Sequence, residues 1–286
     1  MNLSDIEYKI SKTTEYRYYK FVCNDSVNNC NTCLSLAGKV FRDDDSTKPE
    51  LPIHKNCKCK YDEIDTDYQI VNELNKITAN LQTNKDILPD MADQLALQII
   101  YAKLENSRID ISDVFMLFNG EYFISSDGKF AVPAVSGKPI DVKTIRINAI
   151  FPELYSENKV YTFDYSYDRQ GAKNVGGIPQ GLYYINVKEQ RSALTSPYSH
   201  VIKSRGWGRY SWSLHATPDT VTRGRGGFFI HGGDEYGSAG CIDLHQQDII
   251  FHKYLFSQNR KTIYVYVRYN KSQAAVSDKK TIFHNL

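Results

Sequence analysis

Five of the six cysteines fall between Cys23 and Cys59, and the sixth, Cys241, stands alone far downstream. Within the crowded stretch the order is Cys30-x2-Cys33, then twenty residues, then His54-x2-Cys57-x-Cys59. Thiolates and an imidazole at such short spacings suit a tetrahedral Zn²⁺ ion. The spacing selects Cys30, Cys33, His54 and Cys57, with Cys59 as an exchangeable ligand and Cys23 as a spare ligand or bystander. A disulfide-bonded knot formed after export is the alternative, and zinc is preferred because no export signal is evident. Residues 1–65 therefore read as a small Cys/His module with a structural zinc.

A chain of 286 residues holds one large domain or two small ones. Its formal net charge is +2, which gives no strong attraction to nucleic acid or to an anionic membrane surface. No run of about 18 apolar residues occurs, so no membrane-spanning helix is expected. The N-terminus, Met1-Asn2-Leu3-Ser4-Asp5, lacks the basic and then apolar order of a signal peptide, so any export should use another route.

After the module the pattern changes. Ile70, Leu74, Ile77 and Leu81 recur at helical spacing, and Met91, Leu95, Ile99 and Leu104 do so again. Two helices are expected in residues 66–110, broken near Asp86–Pro89, where proline suits a first turn. Beyond Asp113 short strands dominate. Phe115–Phe118 and Glu121–Ile124 flank Asn119-Gly120, a hairpin signal. Further strands are expected at 145–150, 160–165, 182–187, 227–231 and 262–269, with one helix at 245–257 and a flexible tail at 271–286. The fold class is α+β, with a mainly β domain over 111–270.

Within that domain, Phe228-Phe229-Ile230 delivers His231 at the end of an apolar run. A glycine-rich stretch then leads to Gly240-Cys241-Ile242-Asp243. A thiol becomes a nucleophile when an adjacent base takes its proton. Glycines allow main-chain N–H groups to point at a developing oxyanion. Cys241 is thus the candidate nucleophile and His231 the candidate base. A lone cysteine or histidine is more often a packing residue; here the joint setting carries the assignment.

The elements His231-Gly232 and Ser238-Ala239-Gly240-Cys241-Ile242-Asp243-Leu244 resemble the catalytic block of L,D-transpeptidases, in the branch found among type VI secretion effectors. Ala134-Val135-Ser136-Gly137 and Gly177-Ile178-Pro179-Gln180-Gly181-Leu182-Tyr183-Tyr184-Ile185 resemble other strands of that branch. The resemblance covers about residues 113–268. It implies a small β-sandwich or barrel of L,D-transpeptidase type and a cysteine L,D-carboxypeptidase or transpeptidase acting on peptidoglycan stem peptides. It also implies a Gly232 carbonyl that orients His231, main-chain N–H groups at Gly240 and Cys241 as oxyanion donors, and no catalytic cofactor. Ser238 would serve the site or turn the loop. Trp207, Trp212, Tyr183 and Arg223 are candidates for contact with substrate, and Arg225 shares the last role. Asp243 stands where the wider family carries arginine, and a helix cap is its other reading. The implied setting is a toxin made in the cytoplasm, secreted, and active in a competitor's periplasm, with a cognate immunity protein and a secretion component as partners.

Residues 20–62 resemble the C-terminal segment of phage Mu F-type minor head proteins, which implies a delivery or loading module. A contrasting function is a phage-derived structural adaptor whose downstream domain binds cell wall without catalysis. An unrelated cysteine hydrolase is a third reading, disfavoured by the missing Asn/Asp partner motif.

Overall fold

In the computed structural model the described residues are 17–23, 30–64, 68–84, 87, 89–106, 114–148, 154–192 and 207–283. The expected transitions at Ser107 and Asp113, the break residues Asp86 and Leu88, the strand end at 149–150 and the N-terminal segment lie outside them. The chain divides into two compact units, residues 1–115 with 125–131, and residues 116–124 with 132–286.

In the first unit, β1 (Tyr18–Val22) is the centre of a three-stranded antiparallel sheet between β2 (Val40–Arg42) and β3 (Lys60–Ile64). Its interior is aromatic. The Tyr61 ring meets Phe21 and Phe41 edge-on, at centroid distances of 5.5 and 6.3 Å. A short helix, α1 (Asn31–Leu36), starts directly after Cys30, whose sulfur accepts the Cys33 N–H at its first turn. Two longer helices follow, α2 (Tyr68–Gln82) and α3 (Pro89–Glu105). Pro89 is the first residue of α3, where the missing N–H costs nothing. Leu74, Ile77 and Leu81 are buried from α2, and Ala92, Leu95, Ala96 and Ile99 from α3. Lys103 and Glu73 join the two helices by a 2.8 Å ion pair with the lysine almost fully enclosed. Tyr101 anchors α3 to β2, accepting the Arg42 N–H and donating to Asp45. The helical segment thus clusters with the cysteine-rich module rather than standing as a separate linker.

The second unit is mainly β, and its large sheet is nearly closed and barrel-like. The strands are β4 (Met116–Phe118), β5 (Tyr122–Ser125), β6 (Ala131–Pro133), β7 (Val135–Ser136), β8 (Asp141–Asn148), β9 (Leu154–Asp164), β10 (Gly181–Asn186), β11 (Arg191–Ser192), β12 (Tyr210–Ala216), β13 (Phe228–His231), β14 (Ile242–Asp243), β15 (Thr262–Val267) and β16 (Gln273–Phe283). The order is β6-β5-β4-β15-β10-β12-β13-β14-β7, with β11 beside β12. Helix α4 (Tyr167–Gly171) precedes β10, and α5 (Asp248–Ser257) follows a 3-10 turn at His245–Gln247. The Asn119-Gly120 hairpin forms as expected, with the Asn119 side chain accepting the N–H groups of Glu121 and Tyr122.

Two segments differ from expectation. Residues 273–283, read as a flexible tail, form β16 and pair with β9 along its whole length in the sheet β16-β9-β8. Ala274 and Val276 alternate inward there, but the polar run from Ser277 to Thr281 hides that period. Residues 210–216, not among the expected strands, form β12 between β10 and β13.

Candidate functional site

Strands β13 and β14 are parallel neighbours, with Ile230 opposite Ile242 and His231 opposite Asp243. Parallel partners usually need a crossover of about a dozen residues or more. Here residues 232–241 suffice, because the glycine-rich loop turns back on itself. Alternation puts Ile230 and Ile242 on one face, both fully buried. Phe229 and His231 point the other way, with Asp243 and, one step earlier, Cys241. A main-chain hydrogen bond from Phe229 reaches the Cys241 thiol, fixing it beside β13. Cys241 is 8 % exposed and His231 3 %.

The imidazole is held in one tautomer. His231 Nδ1 donates to the Gly232 carbonyl at 2.7 Å, which leaves Nε2 as the basic nitrogen. Trp207 lies against the ring, 4.8 Å between centroids, and meets Phe229 edge-on. Gly232 is needed for room: a Cβ there would come within 2.6 Å of the Asp248 carboxyl carbon and of the His245 carbonyl. Asp248, buried at the start of α5, accepts the N–H groups of Arg209 and Tyr210 and so fixes the entry to β12.

Burial pushes the Cys241 thiol up to about 11 from 9.0; the Phe229 hydrogen bond and the Arg225 charge oppose this, and Asp243 adds to it. The resting thiol is neutral near pH 7. Asp243 is itself buried, and that burial raises its carboxyl above the ordinary range. The charge of His231 acts in the opposite direction. Its two oxygens accept the N–H groups of Gly237 and His245, so it ties together the segments on either side of Cys241.

The remaining candidates separate by role. Ser238 donates to the Cys241 carbonyl at 2.8 Å, and its own N–H goes to Gly137. It therefore shapes the loop and joins it to the Ser136-Gly137 turn. The Gly240 N–H points at Ser238 Oγ, 3.3 Å away. Trp212 is fully buried against Phe251, and Tyr183 is fully buried with its hydroxyl on the Pro179 carbonyl. Arg223 caps the Tyr167 ring and donates to the Tyr167 carbonyl. Arg225 binds four main-chain carbonyls, those of Gln170, Gly176, Gly177 and Ala239. Its role as a clamp on the nucleophile loop was not visible in the sequence, where an arginine between glycines reads as exposed. Trp207 is the aromatic candidate that touches His231.

In the first unit all five cysteines and His54 converge. Cys33 Sγ lies 3.5 Å from Cys30 Sγ, 3.1 Å from His54 Nε2 and 3.9 Å from Cys57 Sγ. Tetrahedral zinc with Zn–S bonds of about 2.3 Å separates its ligand atoms by about 3.8 Å; the Cys30, Cys33 and His54 ligand atoms all lie within 4.8 Å of one another and suit such an ion, with Cys57, near Cys33, as the candidate fourth ligand. His54 Nδ1 donates to the Lys55 carbonyl, which leaves Nε2 free to ligate. Main-chain hydrogen bonds hold the Cys57 thiol down to about 7 and also lower Cys30, the direction that favours ligand thiolates. Cys23 is no bystander: its sulfur is 2.7 Å from that of Cys59.

Among the described residues no helix is long and apolar enough to cross a membrane. No curated protein matches the chain. Residues 155–267, which span β9 to β15 and include both His231 and Cys241, match the family model described as the Tlde1 domain, a type VI secretion effector family.

Proposed function

We propose that the chain is an antibacterial toxin that modifies peptidoglycan, acting as a cysteine L,D-carboxypeptidase and transpeptidase on tetrapeptide stems. The observation that carries this reading is the pairing of β13 with β14. It brings a tautomer-fixed His231 and the thiol of Cys241 onto one face of adjoining strands. The Tlde1 match supports the effector setting, with a cognate immunity protein and a secretion partner.

Cys241 Sγ attacks the carbonyl of the third stem residue while His231 Nε2 takes the thiol proton. Proton removal accompanies attack, since burial keeps the resting thiol neutral. The Gly232 carbonyl steadies the imidazolium through Nδ1, and the buried Asp243 carboxyl adds favourable charge. The proton passes to the departing amine, D-alanine leaves, and a thioester remains. Water then restores the thiol and releases a tripeptide stem; a D-amino acid or a second stem amine gives exchange or a 3-3 crosslink. Main-chain N–H groups at Gly240 and Cys241 are the nearest oxyanion donors, and Gly240 must release Ser238 to act.

The test is digestion of purified peptidoglycan followed by mass spectrometry of the stems. Wild type should convert tetrapeptide to tripeptide stems, and Cys241→Ala should not. Unchanged stems with folded wild-type protein would overturn the reading.

A further inference from the structure

We propose that the N-terminal cluster holds two divalent metal ions, with Cys33 as a thiolate shared between them. This rests on the reading that the Cys/His cluster is a metal centre.

Two groups of potential ligands are present, Cys30/Cys33/His54 and Cys23/Cys33/Cys59. Within each, all ligand atoms lie within 4.8 Å of one another. Cys33 alone belongs to both. It is buried, whereas the other four sulfurs sit around it at intermediate exposure. The first ion takes Cys30, Cys33 and His54, with Cys57, whose sulfur is 3.9 Å from that of Cys33, as its fourth ligand. That leaves Cys23 and Cys59 outside, yet their sulfurs approach to 2.7 Å on the other side of Cys33, and Cys23 also faces the Cys33 carbonyl. Two sulfurs this close beside a third lead to either a disulfide or a shared ion. A second ion has its ligand set here in Cys23, Cys59 and the second lone pair of Cys33, whose atoms all lie within 4.8 Å of one another.

The chain supplies soft sulfur donors and one imidazole, the donor set of zinc. Binding displaces one proton from each thiol and leaves the sulfurs otherwise unchanged. Cys23 and Cys59 must spread by about 1 Å to reach zinc-ligand spacing.

The test is metal analysis and native mass spectrometry of the full chain purified from zinc-supplemented medium, with thiols counted after denaturation. Two zinc ions per chain, six titratable thiols, and one zinc in the Cys23→Ser/Cys59→Ser variant are expected. Loaded with Co²⁺, wild type should give a weaker paramagnetic signal per cobalt than that variant, because a shared thiolate couples the two ions. One zinc with a Cys23–Cys59 disulfide, or with two readily alkylated thiols, would overturn the second site and keep the first. No zinc at all would overturn both.

Discussion

Arg225 occupies the space that a side chain at Gly240 would need: a methyl group on Gly240 would overlap the Arg225 Nη2 atom. Gly240 also has φ +116°, a conformation that L side chains rarely adopt. Glycine before Cys241 is therefore favoured on two counts, its backbone conformation and the place of the Arg225 guanidinium. Gly240→Ala should destabilise the protein by about 1–3 kcal/mol and abolish stem trimming. Urea unfolding alongside a peptidoglycan digest checks this; unchanged stability and activity would refute the clamp.

Arg225→Lys should retain the charge near Cys241 but lose most of the four carbonyl contacts, since an ammonium cannot reproduce the fork. Arg225→Ala should cost about 1–3 kcal/mol from unsatisfied carbonyls. It should also raise the Cys241 thiol further, because the guanidinium charge favours the thiolate. Alkylation rates at Cys241 followed against pH should move to higher pH in Arg225→Ala.

The buried thiol also links stability to alkaline pH. Its folded value is raised from 9.0 to about 11, so the unfolded chain releases this proton first. The contribution is fully present below pH 9 and is lost as pH rises towards about 11, by roughly 2–3 kcal/mol. Buried tyrosines act in the same range, so the quantity to measure is the difference between wild type and Cys241→Ser. Unfolding free energies of the two should converge across that window.

The two tryptophans should behave oppositely. Trp212→Ala removes a fully buried ring from the packing around Phe251 and should cost about 3–5 kcal/mol. Trp207→Ala removes the ring that rests on His231 and should leave the unfolding midpoint nearly unchanged while lowering kcat/KM on stems about tenfold or more. Equal losses of stability would remove the case for Trp207 at the site.

How far the sequence reaches depends on how local the cause is. The hairpin at Asn119-Gly120, the helix starting at Pro89 and the strand ending in His231 follow from neighbouring residues and are legible. The Cys30–Cys33 and His54–Cys57 spacings are legible for the same reason. Strand β16 is not, because its partner β9 lies more than a hundred residues earlier and its polar residues mask the alternation. Arg225 escapes notice because its value lies in four carbonyls contributed by other segments. Asp243 has a local contact with His245 but a second one with Gly237, across the loop, and this makes it a tie rather than a simple helix cap.

His54 and His231 share one device: each ring gives its Nδ1 proton to the carbonyl of the residue that follows it. In both rings this leaves Nε2 with the available lone pair, for a cation at His54 and, in the proposed reaction, for a proton at His231. Zinc counted on the wild-type chain is therefore read beside zinc counted on Cys241→Ala, so that the ions assigned to the N-terminal cluster are those that survive the loss of the Cys241 thiol.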